Sequence, residues 1–120
     1  MIEILPHLPG KIVGIRASGT VTAGDYETVL IPTIEESIRK HGPVCLLYVM
    51  DCSIKDFSLG AMWDDTKLGY QHLQDFERIA IVTDDHLVRG MLHALQFAMP
   101  KFLRVFPADE EDAAIEWLSS

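Results

Sequence analysis

The chain predicts an α/β fold: a mixed five-stranded sheet, with an N-terminal antiparallel hairpin followed by parallel strands, and four helices in the order β-β-α-β-α-β-α-β-α. Three observations carry this. Two strand-helix units stand out between Glu77 and Leu118. Arg78-Ile79-Ala80-Ile81-Val82 runs through Thr83-Asp84-Asp85 into a helix with a one-sided apolar face, and Phe102-Leu103-Arg104-Val105-Phe106 leads into an acid-started helix ending at Trp117-Leu118. Val44 to Met50 is apolar at every position, the mark of a strand covered on both faces. After the hairpin, every strand-to-strand connection passes through a helix, which implies parallel pairing with right-handed crossovers.

Met1–Leu5 and Ile12–Ala17 are β-type runs joined by Pro6-His7-Leu8-Pro9-Gly10, a turn-forming stretch. Thr22 offers an N-cap with Asp25 three residues on, a capping box. The helix it opens carries Tyr26, Leu30, Ile34 and Ile38 on one face and stops at Lys40-His41-Gly42-Pro43. Pro32 lies inside it and is expected to kink or divide it near Thr28–Ile31. Past the third strand, the loop Asp51–Phe57 reaches Ser58, an N-cap candidate. The next helix advances through Leu59, Met62, Trp63, Thr66, Tyr70 and Leu73, and by this period Met62 and Trp63 belong to the core. Asp64, Asp65, Lys67, Gln71 and Gln74 take the wet side. Asp84 or Asp85 caps the following helix, which turns Val88, Met91, Leu92, Leu95 and Met99 inward until Pro100 stops it. Asp109, Glu110 and Glu111 crowd the last helix's N-terminus, as its dipole favours.

The 120 residues make one domain, 1–120, able to bury roughly two-thirds of the surface of its unfolded chain. A net charge of −8 argues against nucleic-acid binding and polybasic membrane docking, and favours a basic partner surface. No apolar run approaches the roughly 20 residues of a membrane span. With Glu3 near the N-terminus and no signal pattern, the expected location is cytoplasmic. Cys45 and Cys52 fall on opposite faces of an extended segment, roughly 20 Å apart, and are expected to remain thiols.

In order and spacing the chain resembles the SpoIIAA-like family of small bacterial proteins, a branch of the STAS-like fold shared by anti-sigma-factor antagonists. The resemblance spans essentially the whole chain. It rests on Asp25-Tyr26-Glu27 with Pro32, Trp63-Asp64-Asp65, Arg78-Ile79-Ala80-Ile81-Val82 with Thr83-Asp84, Val105-Phe106, and Ala113-Ala114-Ile115-Glu116-Trp117-Leu118. It implies sequential strand order with helices packed against the sheet, and no known enzymatic activity. Anti-sigma-factor antagonists carry Asp-Ser-Ser-Gly, with a phosphorylated serine, where the third strand meets the second helix. Two imperfect counterparts stand here: Asp51-Cys52-Ser53, with Ile54 in place of glycine, and Asp56-Phe57-Ser58-Leu59-Gly60. Phosphate at Ser58 would suit a helix N-terminus, but Asp51, Asp56, Asp64 and Asp65 are close in sequence and no arginine cluster is. Ser58 as a plain cap is the simpler reading.

Asp51, Asp84 and Asp85 fall at the C-terminal ends of adjacent parallel strands, where open α/β sheets place their sites. Metal or phospho-acceptor chemistry would use such acids, but Lys101 begins the last strand rather than leaving it, and capping accounts for Asp84 or Asp85. His86, Arg89 and His93 make a solvated basic face, the two histidines being roughly 10.5 Å apart along the axis and too far to share a metal. His7, His41 and His72 are expected in solvent. No histidine lies near Cys52 in sequence to activate it, and no glycine-rich phosphate loop is present. Ile54 and Phe57 are large apolar groups in a loop, expected either as a lid over the strand ends or as a partner or ligand contact. The expectation is therefore a non-enzymatic regulatory or protein-interaction module, homodimeric, with no catalytic residues, metal or cofactor. Its partner or ligand loop is Asp51, Cys52, Ser53, Phe57 and Ser58, beside the strand-end acids Asp84 and Asp85. The alternative is a carrier or sensor of a small apolar, lipid-like ligand held at that loop. Because the third strand is apolar on both faces, its second face needs cover from the kinked first helix, the C-terminal helix or another subunit.

Overall fold

In the computed structural model, which describes residues Met1–Ser120, β1 (Ile2–Leu5), β2 (Ile12–Ser18), β3 (Val44–Asp51), β4 (Phe76–Thr83) and β5 (Leu103–Phe106) form one sheet in the order β1-β2-β3-β4-β5. β1 runs antiparallel to β2 with Ile4 opposite Ile15, and every later pair is parallel. The mixed sheet and sequential order are those expected. The hairpin closes tightly because Leu8 folds back onto β2. A Cβ at Gly14 would stand 2.2 Å from the Leu8 Cδ1 and 3.2 Å from the Leu5 Cβ, so any side chain there must displace Leu8.

The first helical run comes in three pieces: α1 (Ala23–Asp25), a π-helical turn (Tyr26–Leu30) and α2 (Ile31–His41). Thr22 caps it, its Oγ1 accepting from the Asp25 amide at 3.2 Å while the Asp25 carboxylate accepts from the Thr22 amide at 2.9 Å. Pro32 explains the π turn. It has no N–H to give the Thr28 carbonyl and its ring crowds that carbonyl, so the backbone widens in the turn just before it. The Thr33 hydroxyl reaches back to the Val29 carbonyl at 2.6 Å. Tyr26, Leu30 and Ile34 are fully buried, as their spacing predicts.

β3 has seven consecutive buried residues, Val44 to Met50. Val44, Leu46, Tyr48 and Met50 join the first helical run, Ala61, Leu68 and Val88 in the larger core. Cys45, Leu47 and Val49 meet Ala80, Val82, Phe106, Ala114 and Leu118 on the opposite side. The cover on that second side is therefore the chain's own α5 (Glu111–Ser119), with Leu5, Leu8 and Ile12 at its margin, and not another subunit.

Two helices depart from expectation. α3 (Leu59–Gln71) buries Ala61, Asp64 and Leu68, while Leu59, Trp63 and Tyr70 are 84%, 66% and 87% exposed and Leu73 is exposed beyond them. α4 (His86–Ala98) turns Val88 and Leu92 inward as predicted, but Met91, Leu95 and Met99 lie outside. The cause is crowding. Sequential strand order sends all three crossovers to one side of a five-stranded sheet, and the first helical run occupies its middle. α3 is displaced onto α1 and the π turn, and α4 onto β5. Gly60 permits the displacement, since a Cβ there would be 2.9 Å from the Ala23 Cβ. Periodicity identified the apolar stripes; the limited sheet area left them without cover.

Replacing Gly14 with valine overpacks the hairpin against Leu5 and Leu8 and is expected to cost about 1–3 kcal/mol. Chemical denaturation measures this, and unchanged stability would show that Leu8 moves aside freely.

Candidate functional site at the strand ends

The C-terminal ends of β3 and β4 border a cavity of about 350 Å³ lined by Met50, Asp51, Cys52, Ser53, Asp84, Asp85 and Ala108. Five of the residues singled out in the sequence thus come together. Phe57 and Ser58 do not line it. Phe57 forms a parallel bridge with Val21 and packs on the larger core. The Ser58 Oγ accepts from the Ala61 amide at 3.0 Å, capping α3. Ile54 packs on the same core, so this loop is a lid.

Each acid has a structural partner. Asp51 accepts from the Arg16 guanidinium at 2.6 Å, and the same guanidinium reaches Glu111 at 3.0 Å, tying β2, β3 and α5 together. Its hydrogen bond to Asp51 holds the Arg16 pKa above its ordinary value, against the opposing effect of burial. Asp84 accepts from the Ala108 amide at 2.9 Å. Asp85 caps α4 through the Val88 amide at 3.0 Å and holds the lid through the Ile54 amide at 3.2 Å. These amides, Val88 foremost, keep the Asp85 carboxyl below its usual range. The acids clasp three loops at the strand ends, and Arg16, which the sequence did not single out, with Glu111, expected only as a helix-terminal charge, complete the clasp. Both sit where a charge is conspicuous, Arg16 within a strand and Glu111 at the start of an amphipathic helix.

The chemistry open to this cavity is narrow. Ser53 caps the short turn Ile54–Asp56, its Oγ accepting from the Lys55 amide at 3.2 Å. A phosphate on Ser53 would stand among Asp51, Asp56 and Asp85, and Arg16 is already engaged by two carboxylates. Burial, and then the charge of Asp56, raise the pKa of the Cys52 thiol, which disfavours the thiolate a nucleophile needs. Cys45 and Cys52 are both free. No three His, Cys, Asp or Glu side chains converge to hold a metal ion. Three carboxylates on its wall give the cavity the wrong lining for an apolar ligand.

A second polar assembly lies in the core, where apolar packing was expected. The Tyr48 hydroxyl stands 2.8 Å from that of Tyr26, and Tyr26 donates to Asp65 Oδ1 at 2.8 Å. A carboxylate only accepts, so the chain runs Tyr48 to Tyr26 to Asp65. Burial raises the pKa values of both tyrosines. Asp65 is exposed as a residue, and desolvation around its carboxyl raises its pKa against the pull of the Tyr26 hydroxyl. Asp64, also expected in solvent, is only 4% exposed, with one oxygen lacking a protein partner. His72 likewise corrects expectation: half-buried at the end of α3, it contacts Asp75 at 3.0 Å and Glu35 at 3.3 Å. α3 is thus held by Ala61 and Leu68 in the core and by the Asp65 and His72 hydrogen bonds beside them. The readable signal was a pair of tyrosines at core positions, whose hydroxyls require partners.

A family model described as SpoIIAA-like matches residues 12–119. Among solved structures, an uncharacterised protein with a SpoIIAA-like fold from Shewanella loihica PV-4 is similar with a TM-score of 0.73 and 26% identity, over 98% of this chain and 92% of that one. No curated protein is significantly similar to the chain. No helix is long and apolar enough to cross a membrane.

Because its carboxyl pKa is raised in the folded state, Asp65 penalises folding once charged. Its contribution is most favourable below the unfolded carboxyl pKa of about 3.9 and is lost as pH rises through the folded value. Asp65→Asn keeps an acceptor for Tyr26 and removes the charge. It is expected to raise the melting temperature at pH 8 and to flatten its fall as pH rises above the unfolded carboxyl value of about 3.9; a lower melting temperature at pH 8 would contradict this. Iodoacetamide is expected to alkylate native Cys52 more slowly than glutathione at pH 8, as followed by mass spectrometry; faster labelling would show an activated thiol.

Proposed function

The chain belongs to the SpoIIAA-like family, and from that premise we propose that residues 1–120 work as one non-enzymatic, cytoplasmic regulatory module that acts by protein contact and pairs with a second copy of itself. The observation that carries this reading is the outer stripe of α3. Leu59, Trp63, Thr66, Tyr70 and Leu73 follow one another at spacings of four, three, four and three, the spacing of a helix-pairing seam. Its four large side chains stand in water, while the inner side of the helix packs the smaller Ala61, Asp64 and Leu68. An antiparallel α3 pair related by a two-fold axis would place each stripe on its twin, as isologous interfaces do. Aromatic residues are the side chains such contacts use most. The fold supports the reading as well: the strand-end acids serve as a clasp, and the chain's spare apolar surface is on its helices.

Sedimentation velocity over a range of concentrations tests this. The wild type is expected to sediment as a dimer at high concentration, and Trp63→Glu with Tyr70→Glu as a monomer with unchanged far-ultraviolet circular dichroism. A wild type that stays monomeric at the highest concentration, or a dimer indifferent to both substitutions, would overturn the pairing.

A further inference from the structure

The other exposed helix carries a different chemistry. From His86 to Pro107 the chain has none of its 18 Asp and Glu, but three of its 10 Lys and Arg: Arg89, Lys101 and Arg104. On α4, Leu87, Met91 and Leu95 repeat every four residues and are all exposed, with Phe97 and Met99 exposed at the helix end. Arg104 belongs to the far side of the sheet, stacked 5.6 Å from the Trp117 ring centroid. Arg89 and Lys101 have no carboxylate partner, and His86 and His93 add two groups able to carry positive charge. The nearest acids by sequence, Asp84 and Asp85, are bound to the Ala108, Val88 and Ile54 amides at the strand ends.

We infer that α4 is the docking surface for an acidic amphipathic segment of a partner protein, one whose apolar strip is bordered by carboxylates. The inference rests on the interaction-module reading and adds the chemistry of the partner. It reverses what net charge alone suggests: a chain at −8 favours a basic partner, but the apolar surface α4 leaves free is the acid-free one. Charge complementarity around such a strip selects partners and speeds their encounter. An anionic membrane fits less well. The two cations, Arg89 and Lys101, fall short of the cluster of about 4–8 that holds a protein to acidic lipid, and the rest of the molecule is strongly acidic.

The test uses the full chain and three synthetic helical peptides that share one leucine stripe and differ only in flanking Glu, Gln or Lys, read by fluorescence anisotropy. The Glu peptide is expected to bind about tenfold or more tightly than the Lys peptide, a difference of about 1.4 kcal/mol or more, and the gap should close at high salt. Met91→Glu should abolish binding of the Glu peptide, and Arg89→Gln with Lys101→Gln should narrow the preference while circular dichroism stays unchanged. Trp63→Glu, on the α3 seam, should leave the affinity as it is. Absence of binding by every peptide, an equal or greater affinity for the Lys peptide, or binding only to phosphatidylglycerol vesicles would overturn the inference. If Trp63→Glu still dissociates the dimer while the peptides fail, the α4 inference alone falls.

Discussion

Everything in this molecule is arranged around a strand that water cannot touch from either side. β3 buries seven residues in succession. Burying a large apolar side chain is worth about 1.5–3 kcal/mol, so stripping the cover from three or four of them would remove about as much as a domain's whole net stability of about 5–15 kcal/mol. Two layers of cover are therefore obligatory. The first helical run supplies one. α5 supplies the other, held down where Arg16 joins Asp51 to Glu111.

That requirement shapes what remains for α3 and α4. The best-covered part of the sheet goes to the π-containing helix, whose Tyr26 carries a hydroxyl into the core. Tyr48 and Asp65 satisfy it, and α3 is drawn in by its polar side. The largest apolar side chains of α3, Leu59, Trp63 and Tyr70, face outward, while Ala61 and Leu68 pack inward. One buried hydrogen-bond chain thus links a packing problem at β3 to the exposed surface on which the proposed function rests.

Much of this was legible in the residues. Val44–Met50 announced a central strand, the Thr22–Asp25 box and Ser58 announced helix starts, and Pro32 announced a break that took the form of a π turn. Asp51, Cys52, Ser53, Asp84 and Asp85 do meet around one cavity, because parallel strands end side by side. Orientation was not legible for α3 and α4. A helical period shows that an apolar stripe exists, but whether sheet remains for it to cover depends on neighbours far away in sequence. Asp64 was misplaced for a related reason, since polarity assigns carboxylates to water, and the Tyr26 bond to the exposed Asp65 was likewise not legible.

The central claim, that Trp63 points outward and is there to be covered by another copy, has a direct measurement. In a Trp117→Phe background Trp63 is the only tryptophan, and its fluorescence quenching by acrylamide can be followed as protein concentration rises. The account predicts ready quenching in dilute solution and progressive protection on concentration, with the protection absent in a Tyr70→Glu variant. Protection already complete in dilute solution would place Trp63 in the core and contradict the account.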